Sequence, residues 1–390
     1  MSQVANGGAG GMATFNNTDG FVEALLRGYR LGFLTDIDYR SIWQCESLGD
    51  VKLNLQETDY GNFLADVPQV SPSVIREKAM EKLVLEFEYL RCNADSPLSD
   101  FLDYITYDYM IDNVMLILKA TLNNPNVDIF SLVKQAHPLG QFEDNILKSI
   151  CAFENTPKGY SELYQSVLID TPIGKYFARF LQEQSAKSSH GASEVQNMLE
   201  ELPTTTLENS LRKLYLEDFA DFCQQVGGET AEIMVGLIKA RADATAINIT
   251  LNSFGTPLND PNLRVTERKP LYPSMGHLYP EGTEKLSHVA DEQELAGVLR
   301  LYPVYRFIFD KHQRGDKTID DAFYEREVEL NEAAFEGQFQ YAAFYSYVRL
   351  KEQEIRNLVW TCECIIQRQK DRISDHFVPI FSPEASFRNQ

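Results

Sequence analysis

The chain has 390 residues, 44% of them apolar and 24% charged, which is enough for a large packed core and excludes bulk disorder. A formal net charge of −21 disfavours nucleic acid and the anionic face of a membrane, so residence at a membrane has to come through a protein partner; plain solubility accounts for the charge equally well. The longest apolar runs, 114–118 and 233–238, fall far short of the roughly 18–20 residues that a spanning helix needs.

The opening MSQVANGGAGGM lacks the basic and apolar regions of a signal peptide, and 1–12 is expected to be a flexible glycine-rich leader. Apolar spacings of three and four then predict helices over 20–31, 72–91, 98–121, 127–136, 140–152, 160–168, 172–185, 193–200, 206–225 and 229–252. Ser71-Pro72, Ser96-Pro97 and Thr171-Pro172 each set a capping residue ahead of a proline suited to a first helical turn. Gly227-Gly228 reads as a helix stop.

The stretch 255–283 holds Pro257, Pro261, Pro270, Pro273 and Pro280, a density that no helix tolerates, and is predicted to be a long irregular connection. Leu271, Tyr272, Leu278 and Tyr279 favour a packed or docked loop over a free one. Beyond it, Tyr324, Val328, Phe335, Phe339 and Ala342 keep one helical face, with a strongly acidic stretch from Asp320 to Glu336 around Arg326. The last helical pattern runs through Ile355, Leu358, Val359, Cys362, Ile366 and Ile373, with Glu352 and Arg356 as an i,i+4 ion pair. No alternation of strands and hairpin turns occurs, so the predicted fold is all-α.

A building block recurs. TDYGNFL (58–64) and TPIGKYF (171–177) share Thr-x-x-Gly-x-aromatic-apolar, and PVYRFI (303–308) matches PIGKYF (172–177). Between these anchors FVEALLRG (21–28), NVMLILKA (113–120), NITLNSFG (248–255) and NLVWTCEC (357–364) align as apolar helical segments, with Asp108, Asp243 and Glu352 each five residues before an Asn. The order helix, anchor, helix, anchor, helix, anchor, helix predicts three related helical units closed by the final helix. The expected division is a first lobe of 13–107 with 340–381, a second of 108–225, a third of 226–339, and a tail of 382–390.

GYRLGFLTDIDYRSIWQCE (28–46), HPLGQFEDN (137–145), ADATAINITLNSFGT (242–256), LYPEG (278–282) and RLKEQEIRNLVWTCECIIQRQKDRI (349–373) occur in this order, and with them the chain resembles the V-type proton ATPase subunit d family. The resemblance covers essentially 12–381. It implies a three-lobed, funnel-like helical protein with a pseudo-threefold internal repeat and no covalent chemistry. It also implies a peripheral place on the cytoplasmic face of vacuolar, lysosomal or endosomal membranes, with the plasma membrane as a further site. Its partners would be the proteolipid c-ring, the central rotor shaft subunits and the stator a subunit. A static helical adaptor would share the composition.

Motifs for chemistry are scarce. There is no P-loop, and His137, His190, His277, His288, His312 and His376 form no zinc spacing. Cys45, Cys92, Cys151, Cys223, Cys362 and Cys364 lack CxxC spacing and fit reduced, mostly buried thiols. Asp320, Asp321 and Glu325 resemble one half of the Mg²⁺–diphosphate site of all-α prenyl-transfer enzymes, but an acidic helix start stabilised by the macrodipole explains them more simply. No catalytic, cofactor-binding or metal-binding residue is expected.

The candidate interface residues are Trp360, Glu352, Arg356, Cys364, His137, Tyr272 and Tyr279. Trp360 shares a helix side with Glu352, Arg356, Glu363 and Gln367, where it either packs a neighbouring helix with Arg356 stacked on it or anchors a partner. His137 begins the HPLG turn, where hydrogen bonding within its own loop is the simpler role.

Overall fold

A computed structural model of the chain describes residues 11–123, 129–142, 171–187, 204–306, 308 and 317–382. Among them every regular element is helical: α1 (Gly11–Thr18), α2 (Gly20–Tyr29), α3 (Asp36–Gln44), α4 (Leu48–Leu55), α5 (Gly61–Leu64), α6 (Pro72–Cys92), α7 (Leu98–Asn123), α8 (Ile129–Gln135), α9 (Gly174–Lys187), α10 (Thr204–Val226), α11 (Gly228–Ser253), α12 (Glu281–His288), α13 (Glu292–Leu299), α14 (Ile319–Glu336), α15 (Ala342–Ile366) and α16 (Ile373–His376). The all-α expectation holds. The helices predicted over 160–168 and 193–200, nearly all of 140–152, Cys151, His190 and His312 lie outside the described residues.

Local sequence explains several helix starts. Ser71 Oγ accepts the Val74 amide at 3.2 Å with Pro72 in the first turn, as predicted. The Ser96-Pro97 and Thr171-Pro172 pairs act differently: the Ser96 hydroxyl is taken by Asp100 at 2.7 Å, and the Thr171 carbonyl closes a turn ahead of α9. Thr35 with Asp38 and Ser47 with Asp50 form capping boxes for α3 and α4, two helices absent from the periodicity reading. Gly227, at φ +77°, ends α10 in the left-handed region that glycine adopts without strain.

The chain divides into two compact units, one of 1–102, 225–237 and 299–390, the other of 103–224 and 238–298. In the first, α15 is the central helix, packed by α3, α4, α6, α14 and α16 and buried on most of its circumference. The continuous face predicted from Tyr324 to Ala342 is broken. Phe339 adopts φ +59°, and the Gln340 amide turns back onto the Ala334 carbonyl at 2.8 Å, so α14 and α15 are separate helices. Nor does the last helix reach Ile373. It ends at Ile366, half-exposed instead of core, with Arg368 at φ +56° and the Gln369 amide bonded to the Cys364 carbonyl at 2.9 Å.

In the second unit, Arg212 joins Asp108 and Glu208, each at 3.2 Å, and also pairs with Asp112, while Arg241 holds the other Asp108 oxygen. The 255–283 connection is packed, as predicted, but contains short helical turns at Pro257–Asn259, Arg264–Arg268 and Lys269–Leu271. Asp243 on α11 accepts the His277 and Leu278 amides at 2.8 and 3.0 Å, and a Cβ on Gly276 would lie 2.1 Å from its carboxylate.

The repeat seen in the sequence has a local structural counterpart. Gly61 N–H donates to the Thr58 carbonyl at 3.0 Å, Gly174 to Thr171 at 2.9 Å and Tyr305 to Tyr302 at 3.0 Å, the same turn in the same alignment frame. Each turn leads into helix with buried side chains after it: Leu64, Tyr176 with Phe177, and Ile308. Asn113 and Asn357, equivalent in that frame, both use their side-chain amides to hold a later stretch of backbone, His137–Gly140 and Val378 respectively.

Candidate functional site

Four of the candidate residues share α15, and the structure turns most of them inward. The Trp360 indole is half-buried, its N–H donates to the Ile373 carbonyl at 3.1 Å, and its ring meets the edge of His376 at 4.7 Å. His376 is in turn 2.8 Å from Asp321, and Asn357 bonds both the amide and the carbonyl of Val378. Trp360 therefore fastens the chain's own segment 373–378 to α15. The expected stacking of Arg356 on Trp360 does not occur; the guanidinium lies 3.8 Å over Tyr324 of α14 because the inter-helix crevice presents that ring instead. Glu352 accepts Arg349 at 2.7 Å in place of the anticipated Arg356, and Arg349 also reaches Glu327. Cys364 is buried, and burial raises its thiol pKa.

The other three belong to the second unit. His137 Nδ1 accepts the Leu139 amide at 3.3 Å, its own N–H donates to Asn113, and its ring stacks on Tyr109 at 4.1 Å, the turn-forming role. Tyr272 is buried with its hydroxyl 2.7 Å from that of Thr250, whereas Tyr279 stands 47% exposed. The two tyrosines of one loop thus separate into a core residue and a surface residue.

Beneath α15 lies an ionic centre that periodicity did not reveal. Lys351 and Glu354 are each 1% exposed and 2.7 Å apart. Lys351 also donates to the Gly32 carbonyl at 2.8 Å and lies over the Phe33 ring at 4.2 Å; Glu354 accepts the Tyr60 hydroxyl at 2.5 Å and the Leu34 amide at 2.6 Å. Both charges are satisfied, which buried ions require. The partners come from RLGFL (30–34) and TDYGNFL (58–64), whose backbone and tyrosine supply them.

Among the described residues no group of three or more His, Cys, Asp or Glu side chains could hold a metal ion. The resolved cysteine and tyrosine shifts are all upward, led by desolvation, toward the neutral and less nucleophilic form; Cys362 is pushed up to about 12. Asp321 is engaged by Thr318 and His376 and Glu325 by Lys317, so two of the three acids at this helix start are internally paired.

Residues 22–376 match the family model described as ATP synthase (C/AC39) subunit. V-type proton ATPase subunit d of Dictyostelium discoideum is 43% identical over 373 residues, spanning 95% of this chain and 98% of that protein. The chain belongs to the V-type ATPase subunit d family. A probable V-type proton ATPase subunit d of Oryza sativa is 43% identical over 95% of this chain and 99% of its own length, and the Saccharomyces cerevisiae subunit d is 36% identical over 93% and 97%. In this subunit d family member no described helix is long and apolar enough to cross a membrane.

The thiol environments give a direct check. Iodoacetamide at neutral pH is expected to label Cys92, which is exposed, while buried Cys223 and Cys362 react only after denaturation. Peptide mapping by mass spectrometry reads this; equal labelling of Cys92 and Cys362 in the native chain would contradict the packing around α15.

Proposed function

We propose that this chain is a non-catalytic rotor subunit of the V-type proton ATPase, capping the proteolipid ring and coupling it to the central rotor shaft so that ATP hydrolysis drives proton transport. The observation that carries the reading is family membership over nearly the whole chain, 95% of it against the Dictyostelium relative. The inward-facing, mutually satisfied polar groups of α15 support it, because a part that transmits torque has to be stiff inside and reactive nowhere. The recurring turn at 58–61, 171–174 and 302–305 supports three related lobes, 13–107 with 340–381, 108–225 and 226–339.

In this reading the membrane is reached through protein partners alone, at the cytoplasmic face of acidic organelles, and the stator a subunit is a further neighbour. Exposed Tyr279 and Arg356 offer contacts, while Trp360, Glu352, Cys364, Tyr272 and His137 hold the frame that carries them.

The chain is expected to leave detergent-solubilised membranes together with the proteolipid ring. Cross-linking it to the ring should preserve ATP-driven proton pumping, and cross-linking it to the stator should stop pumping. Pumping that survives the stator cross-link would instead identify a static helical adaptor, and recovery without any ring would remove the chain from the rotor.

A further inference from the structure

One surface of the first unit has no role in the frame described above. The outward side of α2 and the turn after it places Phe21, Ala24, Gly28 and Leu31 in a line, all exposed, Leu31 at 89%. Facing it, α6 exposes Leu85, Tyr89 and Cys92, one helical turn apart in succession. Between the two helices runs an open groove of about 630 Å³ lined by Gly28, Leu31, Phe63, Leu85 and Tyr89. Aligned, exposed apolar side chains bordering a groove mark a binding surface more strongly than scattered ones do.

The floor of the groove is polar. Lys82, with its side chain 4% exposed, lies 3.0 Å from Asp59 and also pairs with Glu86. Two carboxylates therefore face one ammonium. The surplus negative charge sits at Asp59, whose side chain is 53% exposed and opens toward solvent.

We propose that this groove receives an amphipathic helix of a protein partner, one that lays a leucine- or aromatic-type ridge between α2 and α6 and brings a lysine or arginine to Asp59. The shape argument is that two neighbouring helices, one with a glycine on the facing wall, leave a channel into which the side-chain ridge of a third helix fits. Gly28 leaves open space on the groove wall: a Cβ built there meets no atom within 4 Å, so a larger side chain at this position would project into the channel. The charge argument is the unbalanced Asp59, on a chain whose overall charge of −21 also favours a basic occupant. The inference rests on the reading of the chain as an assembly subunit.

The test uses the full chain and two labelled designed helices, one a leucine–lysine amphipath and the other its leucine–glutamate counterpart, followed by fluorescence anisotropy. The leucine–lysine helix should bind and the leucine–glutamate helix should not. Gly28→Leu should weaken binding at least tenfold with an unchanged melting temperature. Because Gly28→Leu leaves the net charge untouched, such a loss reports the groove and not general attraction between a cation and an acidic protein. Tyr89→Glu replaces Gly28→Leu if the latter fails to fold. Equal binding of both helices, or wild-type binding by the groove variants, overturns the proposal.

In the assembled complex a photocrosslinker at position 89 should capture a helical segment of another subunit with a basic residue within a turn of the adduct. Adducts confined to lipid, to a second copy of this chain, or to its own residues 1–10 or 383–390 overturn it. If the wild-type chain co-purifies with the proteolipid ring and these results are negative, the groove inference alone fails. If no ring is recovered at all, the rotor reading fails first.

Discussion

Lys351→Met is expected to lower stability by about 3–5 kcal/mol, because it removes the only cation bonded to Glu354 among the described residues, in a centre where both side chains are 1% exposed. The remaining carboxylate would keep the Tyr60 hydroxyl and the Leu34 amide, two donors that soften the loss without neutralising the charge. The Gly32 carbonyl would lose its ammonium donor as well. Lys351→Met/Glu354→Leu should recover more than half of the single-variant loss, since burying neither charge costs less than burying one. Urea midpoints of the wild type, both single variants and the double variant read this directly. A Lys351→Met loss below about 1 kcal/mol would mean that water reaches Glu354 and that this centre is not a dry one.

The second large effect is at Arg268. This side chain is 0% exposed, yet it faces no carboxylate among its bonded partners: it donates to Ser253 Oγ at 2.7 Å and to the carbonyls of Leu286, Ser287 and Val289 at 3.0, 3.3 and 2.8 Å. Those carbonyls lie at and just beyond the C-terminal end of α12, where the helix dipole concentrates negative partial charge and the last acceptors lack helical partners. Burial lowers the Arg268 pKa, but a guanidinium stays protonated, so the loop is closed by a cation bound to backbone oxygens. Arg268→Met is expected to cost about 3 kcal/mol, on the scale of charge-assisted hydrogen bonds left unmade.

The loss should also be local. Limited proteolysis would cut within 255–283 while α15 stays protected, since stability is spent in separable regions of a structure. Arg268→Lys should not rescue the loop, because one ammonium cannot span the acceptors that the planar fork reaches. Unchanged resistance of the loop in Arg268→Met would show that Tyr272, Lys213 and Glu217 hold it without the arginine.

How far the candidate site was legible follows from these cases. A helical wheel sets Trp360 on a polar flank of its helix, but it specifies a direction and not a neighbour, and the neighbour is the chain's own Ile373 and His376. Tyr272 and Tyr279 look alike in sequence, seven residues apart in one proline-rich stretch; only folding buries the first and exposes the second. The α2/α6 groove is not legible in sequence because α6 carries apolar residues both on its core side, such as Leu83 and Phe87, and on its outer side at Leu85 and Tyr89, which blurs the period that marks a buried face.

By itself the sequence determined the helical class, the capped start at Ser71-Pro72, the largely irregular connection at 255–283 and the family. Each of these is written locally or in ordered matching segments: caps and prolines act within a turn, and helical period within a few turns. Only the tertiary structure decided which charges are buried together, which aromatic rings face inward and which surface is left uncovered. Lys351 meets Gly32, Glu354 meets Tyr60, and Arg268 meets the end of α12 across chain separations that no local pattern encodes. Partners are chosen there by packing, where desolvation makes a satisfied buried charge stable and an unsatisfied one prohibitive.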